Sequence, residues 1–174
     1  MMMQKKIFQL FSVMLFLSNA AYAQEKGYYI DQTTENWTAL HHINPNNQKT
    51  DFCMALSNDF VLGFKSNKEG VGLQIWDAEG QQIPNHEKSI ALNIGKKHYI
   101  FKVKAMDHNM LMNRLDPSDF NILLKNLSYS SFVLVEYTKN AMKPIDLSGL
   151  PEILTLFHQC TINAGFTEWQ KPNN

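Results

Sequence analysis

Short runs of alternating apolar and polar residues make up most of this chain after Phe52. A period of two predicts strands with one buried and one solvated face, and the Gly, Asn and Asp residues between the runs predict tight turns. Residues 99–105 show the pattern well, because their odd positions are apolar while Lys102 and Lys104 lie between them. The succession of hairpins predicts antiparallel pairing in a β-sandwich-like domain.

Two segments depart from this alternation and have helical spacing. Their apolar residues fall at i, i+3, i+4 and i+7: Phe120, Leu123, Leu124 and Leu127 in the first, and Leu150, Ile153, Leu154 and Phe157 in the second. Asp116 followed by proline predicts a helix over residues 117–127, and Ser148 is the predicted N-cap of the second helix. The predicted fold class is therefore a single α+β domain, mainly β with two short helices.

The N-terminus has the pattern of a secretory signal peptide. Lys5 and Lys6 precede an apolar run, and the small residues Ala21 and Ala23 fit a signal-peptidase site. We expect cleavage between Ala23 and Gln24, which predicts a periplasmic or secreted protein. No later segment approaches the roughly 20 apolar residues of a transmembrane helix, so we expect no integral membrane span after cleavage.

Composition divides the chain into four parts: a signal peptide (1–23), a polar extended lead-in (24–50), a β-rich globular domain (51–162) and a tail (163–174). The lead-in is rich in Asn, Gln and Thr, and we predict little regular structure there. Within the domain, residues 130–137 form an apolar run that predicts a strand, and residues 138–143 are predicted as a loop after it.

Cys53 and Cys160 are the only two cysteines in the chain. In an oxidising, exported environment an even cysteine count predicts a disulfide. Redox-active pairs need close Cys-x-x-Cys spacing, whereas these two are 160 − 53 = 107 positions apart. We therefore predict a structural disulfide that fastens the second helix to the first strand of the β-rich domain.

The mature chain is predicted to be nearly neutral. Removing Lys5 and Lys6 with the signal leaves 14 basic residues of 16 against 16 acidic ones, a net charge of about −2. This balance argues against a nucleic-acid partner, which requires a basic surface. Arg114 is the only arginine, so bidentate phosphate clamps must also be scarce.

The polar residues that suggest chemistry each have a structural explanation. His41 and His42 are adjacent on an extended segment, so their side chains point apart and cannot share a metal ion. Asp107 and His108 are explained by a turn between two strands, and Ser148 lacks a Gly-x-Ser-x-Gly elbow. We predict no catalytic residues, metal or cofactor; a small hydrolase that uses Asp107, His108 and Ser148 is the least favoured alternative.

Several aromatic residues lie in segments without clear periodicity. Large aromatic side chains are enriched where proteins meet, which makes these residues candidates for partner contact. The alternative is that they cover the ends of the domain and are buried, as large apolar side chains usually are. The candidates are Tyr28, Tyr29, Trp37, Phe166 and Trp169.

A further pattern is Trp37 ahead of the run Cys53-Met54-Ala55, followed by glycine-turned strands and a helix, and then by the segment Asp-Leu-Ser-Gly-Leu at 146–150. In this order, over residues 37–160, the chain resembles the invasion-associated locus B family of small exported bacterial proteins. It departs from them in its long polar lead-in and in having only two cysteines. The resemblance implies a β-sandwich-like fold, periplasmic or surface residence and a role at the host interface, with no catalytic residues.

Together these observations predict an exported, non-enzymatic bacterial protein that acts by contact with an unknown protein partner, in host interaction or virulence. The alternative is a periplasmic accessory or inhibitor subunit of a secretion or envelope complex. The two hypotheses differ in the partner that they require, and the sequence alone leaves both open.

Overall fold

The structure is a computed structural model that describes residues 27–76, 82–138 and 141–166. The predicted signal peptide and Trp169 lie outside these residues. The strands in chain order are β1 (Tyr28–Thr33), β2 (Trp37–Ile43), β3 (Thr50–Ser57), β4 (Leu62–Asn67), β5 (Gly70–Trp76), β6 (Glu87–Ile94), β7 (Lys97–Ala105), β8 (Met110–Leu115), β9 (Phe132–Thr138) and β10 (Ala141–Asp146). Two helices complete the described fold: α1 (Pro117–Ser128) and α2 (Leu150–Asn163).

The described strands form one sheet, with every pair antiparallel, in the order β1-β2-β3-β4-β5-β8-β7-β6-β9-β10. The sheet curls, so that its second strand approaches its last: the Trp37 Nε1 of β2 donates a hydrogen bond to the Asp146 carbonyl of β10 over 2.8 Å. The predicted class, mainly antiparallel β with two helices and one disulfide, is confirmed.

Four aromatic rings connect the sheet to both helices. Trp37 stacks on Phe64 with 6.1 Å between ring centroids, and Phe64 meets Phe120 of α1 edge-on at 5.8 Å. Phe120 in turn meets Phe157 of α2 at 6.3 Å. All four side chains are fully buried, so the curled sheet and both helices share one core.

Helix α1 begins where the sequence predicts. The Asp116 side chain accepts a hydrogen bond from the Ser118 N–H at 2.8 Å, and Pro117 takes the first helical position, where its missing N–H costs nothing. Hydrogen bonds from the Ser118 hydroxyl and backbone hold the pKa of Asp116 below its usual value. The N-cap prediction for this helix is confirmed.

The predicted N-cap of α2 is wrong. Gly149, not Ser148, occupies the cap position, in a left-handed conformation (φ 80°) and without a side-chain cap. A glycine is required there, because a Cβ would also overlap the Thr34 side chain. The Ser148 hydroxyl instead accepts a hydrogen bond from Asn36 at 2.7 Å, and the Ser148 N–H donates to the Asp146 carboxylate, which lowers the pKa of Asp146.

Two segments predicted to lack regular structure are strands. The lead-in at 24–50 contains β1 and β2, and the predicted loop at 138–143 overlaps β10. Both β1 and β10 are edge strands, which face solvent along one side and therefore need less apolar alternation than central strands do.

The predicted disulfide between Cys53 and Cys160 is confirmed, with 6.0 Å between the two Cα atoms. Cys53 is fully buried in β3, and Cys160 is half-buried in the C-terminal part of α2. The link therefore fastens the last described helix to the third strand of the sheet. Neither described helix is long and apolar enough to cross a membrane.

Candidate protein-interaction site

Two of the aromatic residues predicted to contact a partner are buried instead. Trp37 has no exposed surface and Phe166 is only 6% exposed, because both side chains pack into the shared core. They are therefore not available to a partner in this fold. Tyr28 is 43% exposed and Tyr29 is half-buried, whereas Trp169 lies outside the described residues.

The residues considered for hydrolysis have separate structural partners. The Asp107 carboxylate accepts the backbone N–H groups of Asn109 and Met110, each at 2.8 Å, and so closes the turn between β7 and β8. The His108 Nδ1 lies 3.1 Å from the Gln82 carbonyl rather than against that carboxylate. The predicted turn is confirmed, and these groups do not form a base with its orienting acid.

The adjacent histidines of β2 also have separate partners. His41 Nδ1 lies 2.8 Å from Asp31 and its ring stacks on Tyr29, whereas His42 Nδ1 lies 3.1 Å from Asp51. The alternation of a strand separates the two rings, as predicted. In the described part of the chain, no three His, Cys, Asp or Glu side chains gather as metal ligands.

A more informative feature is a split in the sheet beside β7. β7 pairs with β6 from Lys97 to Lys104, but it pairs with β8 only at Lys104 and Ala105. β8 instead follows β5 along its whole length and leads into α1 after Leu115. Most of β7 therefore has a paired side toward β6 and, among the described residues, an unpaired side toward β8.

The hydrogen-bond alternation identifies the unpaired groups. The Ala105 N–H bonds on the β6 side, and the Met106 N–H bonds on the β8 side. Because the direction alternates along an antiparallel strand, even-numbered residues of β7 direct their N–H and C=O groups toward the split. We call the backbone groups of His98, Ile100 and Lys102 the open edge of β7, since no described strand pairs with them.

The side chains of the open edge are also accessible. His98, Ile100 and Lys102 point to the outer face of the sheet, and all three are exposed, Ile100 by 66%. The charge here is one-sided, because residues 95–105 contain no Asp or Glu and four lysines, all exposed: Lys96, Lys97, Lys102 and Lys104. An exposed isoleucine among cations marks this surface as amphipathic.

Helix α1 flanks the inner side of the open edge. Tyr99 and Phe101 alternate with the edge residues, stack with 6.4 Å between centroids and are half-buried at the margin of the core. Asn126 of α1 donates a hydrogen bond to the Tyr99 hydroxyl at 2.5 Å and accepts one from Lys97 at 2.6 Å. Ile122, one turn earlier on that side of α1, is 54% exposed and extends the apolar surface.

The two terminal edges of the sheet are protected by devices that β7 lacks. The Leu147 N–H bonds to the Ser131 carbonyl, so alternation directs the nitrogen of Pro144 to the free side of β10, where it cannot donate. In β1 the pairing shifts between Ile30 and Gln32, and such a bulge interrupts a continuous edge. β7 has no proline, and its described pairing with β6 has no shift.

The split beside β7 is not predicted by the sequence pattern. The alternation of residues 99–105 predicts a half-buried strand with Lys102 and Lys104 on its solvated face, which accounts for the lysines but not for the missing neighbour. No local signal marks the split, because β8 is long enough to pair with β7 as far as Phe101 and Leu115 before Pro117 begins α1. The split depends on the pairing of β8 with β5, and period-two alternation does not indicate which strands pair.

Comparisons with protein-family models, with curated proteins and with solved structures find no match for this chain. The resemblance to the invasion-associated locus B family therefore stays a prediction.

Proposed function

We propose that this protein is an exported, non-enzymatic domain that acts by binding another protein through the open edge of β7. The observation that carries the proposal is the exposed Ile100 on a strand whose backbone donors and acceptors on the side toward β8 are, for most of its length, unpaired among the described residues. Exposed edges of this kind are templates for pairing with another chain, and folded proteins usually cover or interrupt them. β10 is interrupted in this way by Pro144, whereas β7 has no proline and, in the part of the chain that the structure describes, no pairing strand along most of this side.

The lysines of β7 fit this proposal rather than oppose it. Charged residues on an edge prevent pairing with an identical edge, because lysines would then lie against lysines. They leave the edge open to a chain of different charge. Lys102 and Lys104 therefore act as selectors of the partner as well as protection against self-association.

Export is supported by the disulfide, because such links persist in oxidising compartments. The signal-peptide pattern points the same way, although residues 1–26 lie outside the described structure. A role in host interaction and a role in an envelope complex would use the same surface. The partner that the open edge binds separates these two proposals.

Site-specific photocrosslinking in the native cell tests the proposal. A photoreactive amino acid replaces Ile100 in one variant and Phe60 in a matched control, because Phe60 is 63% exposed but lies in the turn between β3 and β4. We expect a discrete crosslinked partner from position 100 and none from position 60. Equal crosslinking at both positions, or none at position 100, contradicts a binding role for this edge.

The same experiment identifies the partner. Mass spectrometry of the adduct from position 100 assigns it to the envelope of the producing cell or to a host. Lys102→Glu in the photoreactive chain should reduce the adduct, since it reverses a charge beside position 100 without altering a buried group. An adduct that persists unchanged shows that the lysines do not select the partner.

A further inference from the structure

We propose that the partner segment bound by the open edge of β7 is an extended acidic peptide, which adds to the sheet as a strand beside β7. This inference rests on the proposed function, since it names the class of partner for the same surface. Three features carry it: the direction of the unpaired backbone groups, the sign of the surrounding charge and the apolar surface behind the edge.

The backbone of β7 specifies an extended partner. His98, Ile100 and Lys102 each direct one N–H and one C=O toward the split, at the two-residue repeat of a strand. Only a chain in β conformation presents acceptors and donors at the same repeat, so main-chain pairing selects an extended segment. A helix would leave most of these groups without partners.

The charge of β7 specifies an acidic partner. Residues 95–105 carry four exposed lysines and no carboxylate, and Lys104 alone lies opposite an acidic residue, Glu87 of β6. Opposite charges on neighbouring strands stabilise pairing, and like charges destabilise it. A carboxylate beside Lys102 on an added strand therefore gains an interaction that β6 does not supply, because Ser89 is opposite Lys102 there.

The surface behind the edge predicts the pattern of the peptide. Alternate residues of an added strand would lie on the outer face beside Lys102, and the others would lie on the inner face beside Tyr99 and Phe101. That inner face is apolar and half-buried, with Ile122 of α1 nearby. We therefore expect acidic residues to alternate with apolar residues in the bound segment.

Two other occupants fit less well. A second copy of this chain pairing through β7 would place its lysines against the same lysines, which is unfavourable. An anionic lipid surface would satisfy the charge but has no regular array of donors and acceptors for the backbone of His98, Ile100 and Lys102. Both occupants are nevertheless outcomes that the following experiment distinguishes.

The test measures binding of a synthetic peptide of about ten residues, enough to span a strand, in which glutamate and valine alternate. The comparison peptide replaces glutamate with lysine, and vesicles of phosphatidylglycerol are titrated separately. We expect the protein to bind the glutamate peptide, and binding to weaken between about 0.1 M and about 1 M salt as the Debye length falls from about 10 to about 3 Å. Equal binding of both peptides, or binding of vesicles alone, overturns the inference.

Three variants locate the bound peptide. Ile100→Pro removes the central N–H of the open edge and should weaken binding by about tenfold or more, which corresponds to about one lost hydrogen bond. Ile30→Pro is the matched control, since Ile30 is 59% exposed on β1 and its N–H also faces away from the neighbouring strand. Lys102→Glu, which needs no backbone change, should favour the lysine peptide instead. Loss of binding in Ile30→Pro alone, or no effect of Lys102→Glu, contradicts the inference.

Hydrogen exchange gives an independent readout of strand addition. The Ile100 amide should become protected when the glutamate peptide binds, and the Ile30 amide should not. The two proposals can also fail separately. Crosslinking at position 100 without peptide binding supports the protein-contact function and overturns the acidic strand. Peptide binding without a crosslinked partner shows that the edge can add an acidic strand but overturns its role as a protein contact in the cell.

Discussion

Reduction of the disulfide should destabilise this protein mainly through the unfolded state. Cys53 and Cys160 are separated by 107 positions, so the intact link closes most of the folded domain into one loop. The chain-entropy relation gives about 4.8 kcal/mol at 25 °C for a loop of this length. Domains of ordinary stability have about 5–15 kcal/mol in total, so the link accounts for a third or more of it.

The native contacts should change little on reduction. Cys53 is fully buried, and a free thiol packs as a small apolar group in the same space. The difference between the oxidised and reduced protein therefore isolates the cross-link rather than a change in the core. With a urea dependence of about 2 kcal/mol per molar, a loss of 4.8 kcal/mol lowers the urea midpoint by about 2.4 M.

Urea unfolding of the same chain, oxidised and after complete reduction in denaturant followed by refolding, measures this difference. The Cys53→Ala/Cys160→Ala double variant is the control, because a reducing agent should leave its midpoint unchanged. Midpoints of the oxidised and reduced wild-type chain that agree within about 0.5 M, at the same urea dependence, refute the loop-closure reasoning.

Three further predictions concern single residues. Trp37→Phe removes the donor to the Asp146 carbonyl and leaves part of a buried ring site empty, so the free energy of unfolding in urea should fall by about 2 kcal/mol, and no change would show that this link is dispensable. Gly149→Ala should lower the free energy of unfolding by more than the about 1–2 kcal/mol that a left-handed alanine costs, because its Cβ also overlaps Thr34. Gly95→Ala, at φ 58° with open space around the Cβ, should lower the free energy of unfolding by that strain alone. Equal losses in the two variants would contradict the steric overlap. Asp116→Ala should lower the melting temperature at neutral pH, because the variant lacks the capping carboxylate. The difference in melting temperature between wild type and variant should shrink as the pH falls through the lowered folded-state pKa of Asp116, because the wild-type carboxylate is then protonated. A difference that stays constant down to that pH refutes an ionic cap.

The sequence predicts those parts of the fold that local chemistry decides. Asp116 and Pro117 define the start of α1 because capping needs only neighbouring residues, and the cysteine pairing follows from there being two cysteines. Gly149 shows where local reasoning fails, since the Thr34 side chain, which is distant in sequence, leaves no room for a Cβ at the cap position. Ser148 is the better cap by local chemistry alone, because the contact with Thr34 forms only when β1 and β2 pack near the start of α2.

Trp37 illustrates the same limit for the interaction surface. The sequence around it is polar, which suggested an exposed anchor, yet curling of the sheet brings the Asp146 carbonyl within hydrogen-bonding distance of the indole. Burial of an aromatic residue in a polar segment depends on which strands meet across the fold. Composition does not show which strands meet. Two of the predicted contact residues, Trp37 and Phe166, are therefore buried in the core.

The open edge of β7 has a related origin, because it is a consequence of packing elsewhere. β8 lies between β5 and β7 in the sheet and pairs along its length with β5. The chain then enters α1, whose Phe120 ring lies against Phe64 and Phe157 in the core. β8 separates from β7 after Met112, although it continues alongside β5 to Leu115 before the chain enters the helix. The open edge thus results from the pairing of β8 with β5 along its whole length, and we propose that the lysines of β7 select the chains that can pair there.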